Sequence, residues 1–259
     1  MPTRHRAGRR LLVALLALAV LVGVFFAVDA GLRIYAQNRV ESEIDAQLPD
    51  GVTGDVSVAI GGTSVIVQYL TGSFDRVDVT APALTVNGVP ASVSIRATGV
   101  PTDTKAPIGH VDGAIELDQG ALNTLLQNAL AEADAAPAAR DADVTLGSNE
   151  VIYAGELSVF GLTIGYQATA TPSVTADSLV LTPVDAQVTS GAGSLDVTGL
   201  IDQVLGDKPI AVCVAEYLPQ GVTLSNVDTT PARARITLES STLTLTEQSL
   251  TTLGSCSTA

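Results

Sequence analysis

The sequence predicts an α+β fold: a large curved antiparallel β-sheet wrapped around a few amphipathic helices, preceded by one N-terminal transmembrane helix. Three observations predict it. From Val52 onward, apolar and polar residues alternate in segment after segment, the period of a strand with one wet face. Helical spacing recurs in only three short stretches beyond the leader. The strands are near neighbours in sequence, with no repeated strand–helix–strand order, so they pair antiparallel. Three short helices are few for one large apolar face, so the sheet is expected to curl around them.

The leader comes first. Arg4, Arg6, Arg9 and Arg10 precede an unbroken apolar run from Leu11 to Val28, which Asp29 ends. A basic flank places residues 1–10 in the cytoplasm and residues 29–259 on the far side of the membrane. At about 18 residues the run is near the lower limit for spanning a bilayer and longer than a usual signal-peptide core. Val28-Asp29-Ala30 is a mediocre cleavage site, and no Cys follows for lipid attachment. Two readings stand: residues 11–28 are a retained anchor, or a signal cleaved near Ala30 to release a secreted protein.

Asp29 to Leu48 reads as a helix continuing from that run. Leu32, Ala36, Val40, Ile44 and Leu48 recur at every fourth residue, and Pro49-Asp50-Gly51 stops it. Strands follow. Val77 and Val79 alternate with Arg76, Asp78 and Thr80, and Ala91, Val93, Ile95 and Ala97 alternate with polar residues. Asn87-Gly88 between them signals a tight hairpin turn. A second helix carries Leu122, Leu125, Leu126, Ala129 and Leu130, with Asp118 as its N-cap. The stretch from Ala131 to Asp143, with Pro137, is the best boundary between two halves.

Strands resume with Leu162, Ile164, Tyr166, Ala168 and Ala170, then with Leu179 to Val188, where Pro183 marks an edge or a bulge. A third helix is expected from Asp196 to Gly206. Two final strands are expected around Ile236 and Leu238, then Leu243 and Leu245, with a hairpin turn across Glu239 to Thr242.

Composition excludes several roles. Acidic residues outnumber basic ones 27 to 13, and four of the basic ones lie in the leader. Nucleic acid is therefore no partner, and attraction to anionic lipid headgroups is weak. A lipid would be held by apolar contact. Aromatic residues make up only 3% and Trp is absent, so sugar stacking is poorly served. The two cysteines, Cys213 and Cys256, read as one disulfide in an exported chain. Closing a loop of about 40 residues stabilises by about 3–4 kcal/mol.

No catalytic constellation or cofactor motif stands out, and the chain reads as a non-enzyme needing no metal. His5 lies in the leader and His110 in the loop Pro107-Ile108-Gly109-His110, with no nucleophile elbow to serve it. Asp141-Ala-Asp143 looks like a divalent-ion pair but sits in an Ala-rich loop. Gly191-Ala-Gly193 lacks the third glycine of a phosphate loop.

The segment Tyr69-Leu70-Thr71-Gly72-Ser73-Phe74-Asp75-Arg76-Val77-Asp78-Val79-Thr80-Ala81-Pro82, in this setting, resembles the actinobacterial LmeA-like phospholipid-binding proteins. The leader, the helix ending near Leu48, the helix after Leu117 and the segment Cys213 to Gly221 share the resemblance. It implies a cell-envelope protein with a sheet wrapped on helices, similar to tubular lipid-binding folds. It also implies binding or transfer of phospholipid, phosphatidylinositol types among them, and a role in envelope glycolipid maturation alongside envelope-biosynthesis proteins.

Read physically, Thr71-Gly72 makes a turn and Phe74 anchors a core. Arg76 either meets a lipid phosphate or pairs with a neighbouring carboxylate. Phe74, Leu84, Leu122, Leu125, Leu126, Phe160, Leu162 and Ile164 either line an acyl cavity or form ordinary core. The leading expectation is a non-enzymatic phospholipid-binding or transfer domain at the outer face of the plasma membrane. The alternative is an envelope scaffold with a closed core that engages a protein. A third reading, an enzyme acting on a lipid-linked sugar, would rest on Asp141 or His110.

Overall fold

The computed structural model describes residues 4–46, 48, 51–132, 143–159, 162–190 and 209–256. Its first element, α1 (Arg4–Ala46), carries the apolar run into the amphipathic stretch without interruption. Its 43 residues make a rod about 65 Å long. The helix is long and apolar enough to cross a membrane, and its apolar half stands clear of the body.

The apolar stripe of α1 is unevenly covered: Ala36 and Ile44 are half-buried. Leu32 and Val40 remain 44% and 41% exposed. Contact is made by polar side chains one position away. Asp29 Oδ1 accepts from Ser64 Oγ (2.7 Å) and from the Ile66 N–H (3.0 Å). Arg33 Nη2 donates to the carbonyls of Gly62 and Thr63 at 3.0 and 3.1 Å. Glu41 Oε1 accepts from the Val58 N–H at 2.6 Å. Unpaired backbone groups of a sheet edge and a loop need partners, and satisfying them sets the rotation of the helix.

After α1 come β1 (Val52–Thr53) and β2 (Ser57–Ile60). A short helix, α2 (Val65–Thr71), is legible only in its caps: Ser64 Oγ accepts from the Val67 N–H, and Gly72 closes it at φ 85°. The expected turn at Thr71-Gly72 is this helix end. Next are β3 (Ser73–Val86), β4 (Val89–Pro101), β5 (His110–Asp118) and α3 (Gln119–Glu132). Asn87 (φ 51°) and Gly88 (φ 83°) form the two-residue turn between the Val86–Val89 pair. Asp118 Oδ1 accepts from the Ala121 N–H at 2.7 Å, capping α3 as expected.

Then follow β6 (Asp143–Gly147), β7 (Glu150–Val159), β8 (Leu162–Val174), β9 (Ser178–Ser190) and β10 (Ile210–Cys213). The chain ends with β11 (Thr223–Thr230), β12 (Arg233–Ser240) and a single-turn helix, α4 (Glu247–Thr251). The closing hairpin is therefore β11–β12, turning at Pro231-Ala232, and not a pair around Ile236 and Leu243. Leu243 instead drops into the core, 9% exposed, where its apolar character is used without strand pairing. The expected third helix at Asp196–Gly206, and with it Gly191 and Gly193, lies outside the described residues, as does Asp141.

The strands form two antiparallel sheets, neither of them closed, and not one large sheet. The first runs β1-β3-β4-β5-β12-β11, with β2 also on β3; the second runs β10-β9-β8-β7-β6. Alternation shows which residues share a face but not which sheet a strand joins. Here β5 pairs with the distant β12, so the second sheet is an insertion between β5 and β11.

The turns of the second sheet cap the edge of β11. Thr229 O accepts from the Asn149 N–H (3.0 Å), and Leu224 N–H donates to Ala176 O (3.0 Å). Pro183 coincides with a register shift opposite Ala170, as its missing N–H requires. Cys213 and Cys256 are joined, tying the C-terminal segment to β10.

Candidate functional site

The first sheet presents two unlike faces. On one, cross-strand neighbours form the apolar rows Val79–Ile95–Gly113–Leu238 and Ala81–Val93–Ile115–Ile236. The margins of this face are covered. Under α1, Val58 and Ile60 of β2 are buried; beside the second sheet, Leu224 and Val227 of β11 are buried. α3 packs on β4 and β5 and seals Ala121 completely. At one end of the sheet Val100, Ile108 and Leu243 form a core with Phe74 and Val77 around it. The middle is only partly covered by the described elements. Val79, Val93, Ile115 and Ile236 are half-buried and Ile95 is 38% exposed. Gly113, between Ile95 and Leu238, puts a step in this surface, since it has no side chain to fill the row.

The other face is closed by ion pairs. Asp78 accepts from Arg96 Nε (2.7 Å) and meets Arg76 Nε at 2.9 Å. Hydrogen bonding to Asp78, then its charge, raises the Arg96 pKa above its ordinary value. Glu116 takes Arg233 Nη1 at 3.1 Å and also pairs with Arg235. His110, expected in a loop, opens β5 and lies 3.1 Å from Asp112 on this face.

Phe74 and Leu84, both on β3, lie in different surroundings. Phe74 packs against the closed core. Leu84 lies at the opposite end of β3, roughly 30 Å away at about 3.3 Å per residue. There it lines a groove of about 410 Å³ with Pro82, Ala91, Glu116, Leu117 and Arg233. Leu122 is half-buried on α3 and Leu125 is 41% exposed. Leu126 belongs to α3, and Leu162 and Ile164 to β8; Phe160 lies outside the described residues. Arg76 faces the charged side, engaged with Asp78. The open middle rows were visible in the alternation of Ala91–Ala97, but alternation does not say which part of a face is left uncovered.

Among the described residues no group of three or more His, Cys, Asp or Glu could hold a metal ion. An apolar surface left half-buried by the described elements and backed by a charged one offers area to an apolar ligand. A family model described as LmeA-like phospholipid-binding matches residues 27–239, and the chain belongs to that family. The match takes in α1 from Ala27 onward, so the family's domain includes the helix that docks on α2. No curated protein and no solved structure matches the chain.

Proposed function

We propose that the protein holds phospholipid at the outer face of the plasma membrane, with acyl chains laid along the open middle of the first sheet's apolar face. The observation that carries this is the half-exposed pair of apolar rows across β3, β4, β5 and β12, in a chain of a phospholipid-binding family. In this reading α1 stays as an anchor. Asp29 is built into the domain, accepting from Ser64 and Ile66, and cleavage near Ala30 would strip that contact away. The bound lipid, phosphatidylinositol types included, is handed on in envelope glycolipid maturation without chemistry by the protein itself. A scaffold with a closed core would bury Ile95, which is 38% exposed here.

The test is photo-crosslinking of the full-length protein in membranes containing a phospholipid with a diazirine in its acyl chain. Adducts are expected on β4 and β5 around Ile95 and Ile115 as well as on α1. Ile95→Asp should lose the sheet adducts and keep those on α1. At 38% exposure, the substitution should cost about 1 kcal/mol of stability or less. Adducts confined to α1 would sink the proposal. Competition by phosphatidylinositol against phosphatidylcholine then reports headgroup preference.

A further inference from the structure

We infer that α2 is a membrane-interface foot: a short apolar helix inserted into the outer leaflet beside α1, holding the domain against the bilayer. The inference rests on the reading of α1 as a retained anchor.

The ties between α1 and the following chain fix where α2 sits. Moving up α1 toward the apolar run, Glu41 meets Val58, Arg33 meets Gly62 and Thr63, and Asp29 meets Ser64 and Ile66. The segment through β2 into α2 thus climbs α1 antiparallel, over about 18 Å at 1.5 Å per residue. It reaches the level of Asp29, one residue beyond Val28. A residue that ends the apolar run stands at the edge of the hydrocarbon, within the headgroup layer. The N-terminus of α2 is pinned to that residue by Ser64 and Ile66, which sets this short helix at the level of that layer.

Its composition fits that layer. Val65–Thr71 carries no charged residue. Leu70 is 79% exposed, Tyr69 66% and Val67 47%, although each is large and apolar or amphipathic. Leu70 is the most exposed large apolar side chain among the described residues. Tyr35, about 9 Å below Asp29 along α1, is 70% exposed as well. Tyrosines at the boundary between hydrocarbon and water place their rings in the headgroups and their hydroxyls outward. An acidic chain gains nothing from headgroup charge, so the contact is one of apolar insertion and should not weaken in high salt. The foot also bears on lipid entry, because β3 leaves α2 directly and carries Val79 into the open rows.

The absence of tryptophan makes the test direct. Three full-length variants, Phe26→Trp, Leu70→Trp and Val184→Trp, are reconstituted into phosphatidylcholine vesicles with and without brominated acyl chains. Phe26 lies in the apolar run, and Val184 is 59% exposed on β9. Leu70→Trp is expected to emit to the blue of Val184→Trp and to be quenched by bromolipid, less than Phe26→Trp, unchanged by salt. If Phe26→Trp is quenched while Leu70→Trp emits as Val184→Trp does, the foot is refuted and the anchor stands. If Phe26→Trp is itself unquenched, the anchor reading falls and the foot with it.

Discussion

The two faces of the first sheet come from the same strands, often from adjacent residues, yet they meet water in opposite ways. On the charged face the arginines pair with carboxylates of the same sheet: Arg76 and Arg96 share Asp78, and Arg233 and Arg235 share Glu116. The apolar face is sealed at β2, at β11 and at the Val100–Ile108–Leu243 end, but not along its middle. A fold that protects its margins and leaves its centre half-exposed has apolar area to offer a ligand. Burial, and not apolar composition, separates the part of this surface that the fold itself uses from the part assigned to the proposed ligand.

The sealed end supplies the largest expected effect. Ile108 is 3% exposed and packs with Val100 and Leu243. Ile108→Ala should destabilise the protein by about 2–5 kcal/mol, read by chemical denaturation. Crosslinking of acyl chains should persist in whatever fraction remains folded. Loss of crosslinking in fully folded Ile108→Ala would mean that the sealed end also binds lipid, and the comparison would break there.

A smaller effect is expected at the step in the apolar rows. Gly113 is buried, and a Cβ there would stand 3.4 Å from the Leu238 Cβ, an ordinary contact. Gly113→Ala should raise stability by about 0.4–1 kcal/mol, chiefly by restricting the unfolded chain. Lipid labelling should be retained, since one methyl group does not fill the surface. A loss of stability would show that Leu238 cannot yield, and that the rows are packed more tightly than their exposure implies.

Much of this architecture was legible in the sequence, and the gaps have physical causes. Alternation at Ala91–Ala97 and the Asn87-Gly88 turn gave β3, β4 and their hairpin, because both signals are local. Asp118 announced α3 for the same reason. Pairing of β5 with β12 joins residues more than a hundred positions apart, and nothing local encodes it. One expected sheet therefore resolved into two. β11 went unread because Thr223–Thr230 is largely polar, and its few apolar residues are buried by the second sheet's turns. The grip of α1 on the body is not legible in hydropathy, because Asp29, Arg33 and Glu41 bind backbone groups. Of the proposed lipid-lining residues, Phe74 turned out to flank the sealed core; the open rows were seen as a strand face and not as a site.

The smallest effect, and the sharpest on the comparison, is expected at Arg76. A guanidinium suits a lipid phosphate, and Arg76 lies in the segment that carries the family resemblance. Yet alternation along β3 puts it on the opposite side from Val77 and Val79, and its Nε is 2.9 Å from Asp78. It is 52% exposed, and an exposed pair of this kind stabilises by about 0–1 kcal/mol, less in high salt. Arg76→Gln should therefore leave both crosslinking yield and headgroup preference as in the wild type, because Asp78 keeps Arg96. If Arg76→Gln instead abolished selection among headgroups while acyl labelling of β4 and β5 persisted, phosphate and tails would have to lie on opposite sides of β3. A lipid could do that by passing around an edge or an end of the sheet. The charged face would then be half of the binding site.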